Sequence, residues 1–101
     1  MMENLISNHL PEIRNLFKQY DVKEAYLFGS AAKNTLKDDS DIDFLINFSN
    51  KTDFESYGNN YFGLLYALQD LLKRNVDLVA EETLSNPYLI ESINQTKIQL
   101  I

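Results

Sequence analysis

The sequence predicts one small α/β (α+β) domain, residues 1–101, in which a single mixed β-sheet is backed by helices. Three observations carry that expectation. Strand-like and helix-like segments alternate along the chain. The 101 residues, 45% of them hydrophobic, suit one core and leave no room for a second catalytic or binding domain. Neither an internal repeat nor a low-complexity linker divides them.

From Pro11 to Tyr20, the apolar positions Ile13, Leu16, Phe17 and Tyr20 recur at helical spacing, and Pro11 suits a first helical turn. The segment "KEAYLFG" reads as a short strand ending at Gly29. A polar connection, "SAAKNTLKDDS", follows, with room for one helical turn, and then a second strand, "DIDFLINF". "SNKTDFESYGNN" is rich in turn formers and reads as a loop. Tyr61, Leu64, Leu65, Leu68, Leu71 and Leu72 then form a helical stripe. Asn59 or Asn60 is placed to cap its start, and Lys73 and Arg74 to meet the negative end of its dipole. "VDLVA" is a third strand. "SNPYLIESIN" offers an N-cap, Pro87 and a short helix that turns Leu89, Ile90 and Ile93 inward, and "TKIQLI" closes as a last strand.

Composition excludes several functions. The net charge is -6, from 9 basic and 15 acidic residues, which disfavours a direct DNA-binding surface. A phosphate-bearing substrate would have to bring its own cations. With no cysteine, neither a disulfide frame nor a thiolate metal site is available. No apolar run approaches the roughly 18 residues of a membrane span, and the start "MMENLISNHLPEI" lacks a basic n-region, so a cytoplasmic protein is the expectation.

The second strand carries the chemistry. Side chains alternate along a strand, so Ile42, Phe44, Ile46 and Phe48 share a core face while Asp41, Asp43, Leu45 and Asn47 share the opposite, more open one. Asp41 and Asp43 then stand about 6–7 Å apart along the backbone, and their mutual repulsion costs stability unless a cation lies between them. In "NVDLVA", Asp77 and Val79 share one face, and Asp77 can join the pair if the two strands are neighbours. Three such carboxylates would offer hard oxygen ligands to divalent metal. Alone, Asp-x-Asp in a strand is more often a solvated edge, and Gly-Ser after a strand is more often a tight turn. Here Gly29-Ser30 ends the first strand, with ten residues between Ser30 and Asp41. A glycine lets backbone amides approach a ligand, and the serine adds an amide and a hydroxyl for a phosphate. The combination points to metal-assisted phosphoryl chemistry, with transfer and hydrolysis both open.

These motifs resemble the signature of the DNA polymerase β-like nucleotidyltransferases, and most closely the minimal nucleotidyltransferase (MNT) family, including the MntA-type antitoxins of HEPN/MNT systems. "YLFGSAAKN", "DSDIDFLINF" and "NVDLVAEETLSNPYLIESI" match that family's three motifs in order, so the likeness covers nearly the whole chain. Two positions depart from it: the usual Arg is Lys33, which lacks the guanidinium fork, and the usual Gly is Asn34, which tolerates a left-handed backbone.

The resemblance implies the polymerase β-like fold and transfer of AMP from ATP to an acceptor hydroxyl. It implies two Mg²⁺ ions, or Mn²⁺ in their place, held by Asp41, Asp43 and Asp77, with Asp77 also helping to deprotonate the acceptor. It places the nucleotide phosphates at Gly29, Ser30, Lys33 and Ser40, with Lys37 as an alternative nearby cation. The implied partner is a helical HEPN-domain toxin, joined in a hetero-oligomer and modified on a tyrosine. Two other functions compete: a binding module that has lost turnover, and the nucleotide-binding subunit of a small-molecule nucleotidyltransferase. Of the remaining polar residues, His9 reads as surface, and Asp38 and Asp39 as solvated loop acids, with Asp39 and Ser40 able to orient the strand. Tyr57, Tyr61 and Tyr66 could stack a base; Tyr61 fits the core stripe better, and Tyr57 reads as a loop residue.

Overall fold

The computed structural model describes residues 4–37, 39–49 and 54–101. Two helices, α1 (Asn4–Asn8) and α2 (Leu10–Gln19), precede β1 (Val22–Phe28). A short helix α3 (Gly29–Lys33) leads to β2 (Ile42–Phe48), α4 (Phe54–Leu72) and β3 (Val76–Ala80). A 3-10 turn (Glu81–Thr83), α5 (Pro87–Thr96) and the two-residue β4 (Ile98–Gln99) complete the chain. The strands form one mixed sheet in the order β3-β2-β1-β4, with β2 and β3 parallel and the other pairs antiparallel.

The alternation in β2 decides the layers. Ile42, Phe44 and Ile46 are buried beneath α1, α2 and α4, together with Ile6, Ile13, Phe17, Leu64 and Leu68. Phe17 meets Phe44 edge to face, ring centroids 5.8 Å apart. The opposite face, expected to be open, is partly roofed. Ile93 of α5 packs with Phe28 and Leu45, joined by Tyr26, Val79 and Leu84, in a second small core. Asn86 caps α5, its side chain accepting from the Tyr88 and Leu89 amides. Of the three apolar residues expected to turn inward there, Leu89 is instead exposed.

Several boundaries differ from expectation. The segment read as a loop before Tyr61 is helical from Phe54 onward, and its residues 50–53 lie outside the described set. Asn59 and Asn60 therefore sit within α4 and cap nothing, and Tyr57 is a helix residue. Tertiary contacts outweigh the turn-forming composition: Tyr57 packs edge to face on Phe48 at 4.8 Å, and Asn60 donates to Asp21 Oδ2 at 3.2 Å. Helix α1 has no counterpart in the sequence pattern; its Ile6 is fully buried. His9 is half-buried at the α1–α2 junction, with Nδ1 2.9 Å from the Leu5 carbonyl.

Strand β3 borders the sheet. Asn75 accepts from the Ile42 amide on the β2 side at 3.0 Å, so Val76, Leu78 and Ala80 turn their main-chain groups outward. Gln69 accepts from the Val76 amide at 3.2 Å. The Tyr61 hydroxyl donates to the Leu78 carbonyl, and the Thr83 hydroxyl donates to the Ala80 carbonyl at 2.7 Å. Among the described residues no helix is long and apolar enough to cross a membrane.

Candidate active site

The parallel β2–β3 ladder places Asp43 directly opposite Asp77, and the antiparallel β1–β2 ladder places it opposite Phe28, the residue before Gly29. The third acid, Asp41, is exposed and precedes β2 by one residue. One strand-end cluster thus gathers both carboxylate strands and the Gly29-Ser30 turn, although the rest of α3 and its connection separate the turn from β2 and α4 separates β2 from β3.

Gly29 is required twice over. Its φ of +70° is a left-handed conformation that side chains rarely adopt, and a Cβ there would run into Asp43 Oδ2. The turn and the Asp43 carboxylate are therefore in direct apposition. Ser30 follows in the first turn of α3, and its carbonyl accepts from the Asn34 and Thr35 amides. Asn34 itself is left-handed, φ 61°, the role for which asparagine substitutes for glycine. Lys33 is exposed in the last turn of α3. Ala31 and Ala32 are buried, so this short helix is pinned to the sheet.

Burial, first, and then the charges of Asp77 and Asp41 push the Asp43 carboxyl up to about 6. The hard oxygen donors suit Mg²⁺ or Mn²⁺, and a cation at Asp43 would favour the charged form that burial and its neighbours disfavour. Among the described residues, however, no three of His, Cys, Asp or Glu are gathered into a ready-made metal cage. The fold aligns the strands that carry the acids; it does not draw the three side chains together.

Ser40 accepts from the Lys37 amide through Oγ at 3.1 Å, so its hydroxyl oxygen shapes the approach to β2. Asp39 is exposed, and Asp38 lies outside the described residues. The sequence reading missed Arg74, whose Nη2 donates to the Lys37 and Ser40 carbonyls. No spacing rule flags such a contact, because it joins residues 34 and 37 positions apart. Of the three tyrosines, Tyr61 reaches the edge of β3, and burial, followed by the charge of Asp77, raises its hydroxyl. It lines a cavity of about 360 Å³ with Tyr57, Phe62, Leu78, Val79 and Thr83. Tyr66 is exposed and stacks with Phe62 at 6.4 Å.

Comparison with known proteins shows the family and the fold. The family described as "Nucleotidyltransferase domain" matches residues 6–100. A Methanocaldococcus jannaschii protein, MJ0128, named by inference as a protein adenylyltransferase, is 39% identical over 83 residues, 82% of this chain and 81% of that one. A solved structure described, also by inference, as a minimal nucleotidyltransferase superposes with a TM-score of 0.76 at 26% identity, covering 97% of this chain and 95% of the other. The MNT antitoxin complex with tri-AMPylated HEPN toxin from Shewanella oneidensis shares the fold, TM-score 0.65 at 22% identity, covering 94% of this chain and 71% of that one.

Proposed function

The chain belongs to the nucleotidyltransferase domain family and is a nucleotidyltransferase, and from that premise we propose that it transfers AMP from ATP to a tyrosine of a partner HEPN toxin and so acts as its antitoxin. The observation that carries this reading is the apposition of Gly29 to Asp43, with Asp77 opposite Asp43 on the next strand. A phosphate seated at the turn would lie beside the acids rather than at a distance from them.

In this reading Asp41, Asp43 and Asp77 would hold two Mg²⁺ ions, or Mn²⁺ in their place, which would supply charge neutralisation at the phosphates. Gly29 lets its backbone come close to the β- and γ-phosphates, the Ser30 amide and hydroxyl donate to them, and exposed Lys33 is free to swing toward them. Ser40, engaged with Lys37, keeps the start of β2 in shape. Asp77, exposed beside the half-buried Asp43, would take up the proton that a tyrosine hydroxyl loses as its oxygen bonds to the α-phosphorus of ATP and the bond to the β-phosphate breaks, releasing pyrophosphate. An AMP group added beside a ribonuclease site would place a bulky anion where RNA phosphate binds, blocking cleavage by charge and occlusion. The Shewanella complex, in which the partner of a protein with this fold carries AMP groups, supports the choice of acceptor class.

The test is co-expression with a helical HEPN-domain protein, followed by intact mass measurement of that partner. Whole AMP additions that disappear with Asp77→Asn are expected. An unmodified partner, still neutralised by the Asp41→Asn/Asp43→Asn double variant, would refute catalysis and leave the binding-module reading.

A further inference from the structure

Asp41 needs an explanation that its strand does not supply. The β2–β3 ladder begins at Ile42 with Val76, so Asp41 stands just outside it. What surrounds Asp41 in the chain is nonetheless fixed on both sides. After it, the Ile42 amide donates to the Asn75 carbonyl at 3.0 Å. Before it, the Ser40 amide donates back to the Lys37 carbonyl, and the Lys37 amide donates to Ser40 Oγ, each at 3.1 Å. Arg74 holds this closed turn from outside: one nitrogen, Nη2, donates to both the Lys37 and the Ser40 carbonyls, the latter at 2.9 Å. The two hydrogens of that nitrogen serve one acceptor each. Arg74 reaches the turn because Lys73, with φ 56°, ends α4 and redirects the chain just before β3. Arg74 and Asn75 thus bracket Asp41 from the very segment that continues to Asp77.

We propose that Arg74 is a positioning residue for Asp41, fixing the turn that presents this acid so that it keeps a set place relative to Asp43 and Asp77. This rests on the reading of those three acids as the ion-holding site. Restraining the backbone ahead of Asp41 removes conformational freedom that binding would otherwise have to remove. Groups that orient metal ligands commonly change metal affinity by roughly 10–100-fold. A cavity of about 400 Å³, bounded by Asp39, Ser40, Gln69, Lys73, Arg74 and Asn75, opens beside the guanidinium. It gives free guanidinium ion a route to the two carbonyls once the side chain is cut back.

The experiment titrates the full chain with Mn²⁺, following free Mn²⁺ by electron paramagnetic resonance. Arg74→Ala should weaken binding about tenfold, and millimolar guanidinium should restore it in that variant alone. The Arg74→Ala/Asp41→Asn double variant should bind no worse than Asp41→Asn, because a residue acting through Asp41 has nothing left to position. Unchanged affinity in Arg74→Ala, or losses that simply add, would overturn the proposal. Should Arg74→Ala fail to fold, Arg74→Lys, with one ammonium for two carbonyls, goes through the same cycle with an intermediate loss expected. If the unaltered chain binds no Mn²⁺, the reading of the acids fails separately. Amide exchange at Ser40 and Ile42 then decides: about tenfold faster exchange in Arg74→Ala supports the positioning role, and unchanged exchange refutes it.

Discussion

Asp43 and Asp77 face each other across a parallel ladder, with Gly29 pressed against the Asp43 carboxylate from the third side. The Asp43 carboxyl lies at about 6 because burial, and then Asp77 and Asp41, oppose its ionisation. Two pH windows follow from its sign. The folded value exceeds the ordinary one of 3.8, so the folded state takes up this proton more readily than the unfolded chain. Its contribution to stability is greatest below about pH 4, declines between about 4 and 6, and becomes a cost at neutral pH. Discounted for the half-exposed setting, that cost is about 1–2 kcal/mol. Melting without metal should therefore show Asp43→Asn more stable than wild type at pH 7.5, with the gain gone at pH 4. Equal melting temperatures at pH 7.5 would contradict the assignment.

Mg²⁺ should reverse that order. Added to the wild type at pH 7.5 it should raise the melting temperature, and added to Asp43→Asn it should do little, because the amide has lost the charge. The same variant, and Asp41→Asn, should lose AMP transfer by about a hundredfold or more. Thermal shifts of equal size in all three proteins would place the ion elsewhere.

Gly29→Ala meets two separate penalties. The left-handed φ costs about 1 kcal/mol for a residue with a Cβ, and the collision with Asp43 costs more. In an Asp43→Ala background only the first should remain. Denaturant melts of the four proteins should give a coupling of about 1 kcal/mol or more. Simple additivity would mean that the two groups do not touch.

Helix α5 hangs on one buried side chain. Ile93→Ala should cost about 2–4 kcal/mol and speed amide exchange across α5 while the β1–β2–β3 core stays protected. Leu89→Ala, at 44% exposure, should stay within about 0.5 kcal/mol of wild type. Similar losses in both would indicate that α5 packs on a wider surface.

Tyr57 gives an alkaline marker. Burial, and then a hydrogen bond with Glu82, pushes its hydroxyl up to about 12. The neutral form is thus the one the fold favours, and the stability it adds is full below about pH 10 and lost toward 12. Tyrosinate absorbance should show a late step that Tyr57→Phe abolishes. A titration identical in both would deny the burial.

Periodicity made the strands and the core face of β2 legible, because period-2 alternation and burial are the same constraint. Ile42, Phe44 and Ile46 are buried as that pattern requires. The glycine turn, the two strand acids and the left-handed asparagine were readable for the same reason: each is a residue type tied to a backbone need. What escaped was set by distant contacts. The first two turns of α4 looked like a loop because Gly58, Asn59 and Asn60 are poor helix residues, and their compensation lies on β2 and before β1. The roof over Leu45 depends on where α5 lands, and Arg74 bonds carbonyls, which leave no mark in a side-chain pattern.

With side chains of Gln69, Tyr61 and Thr83 occupying three main-chain positions of β3, an extended peptide drifting past that border finds little to zip onto. Two copies of the molecule cannot readily merge their sheets there, and a misfolded neighbour cannot use it as a seed for fibre growth. This small acidic protein could stand at high concentration without that border becoming sticky, and any partner must recognise it by shape and side-chain chemistry instead of by borrowing a strand.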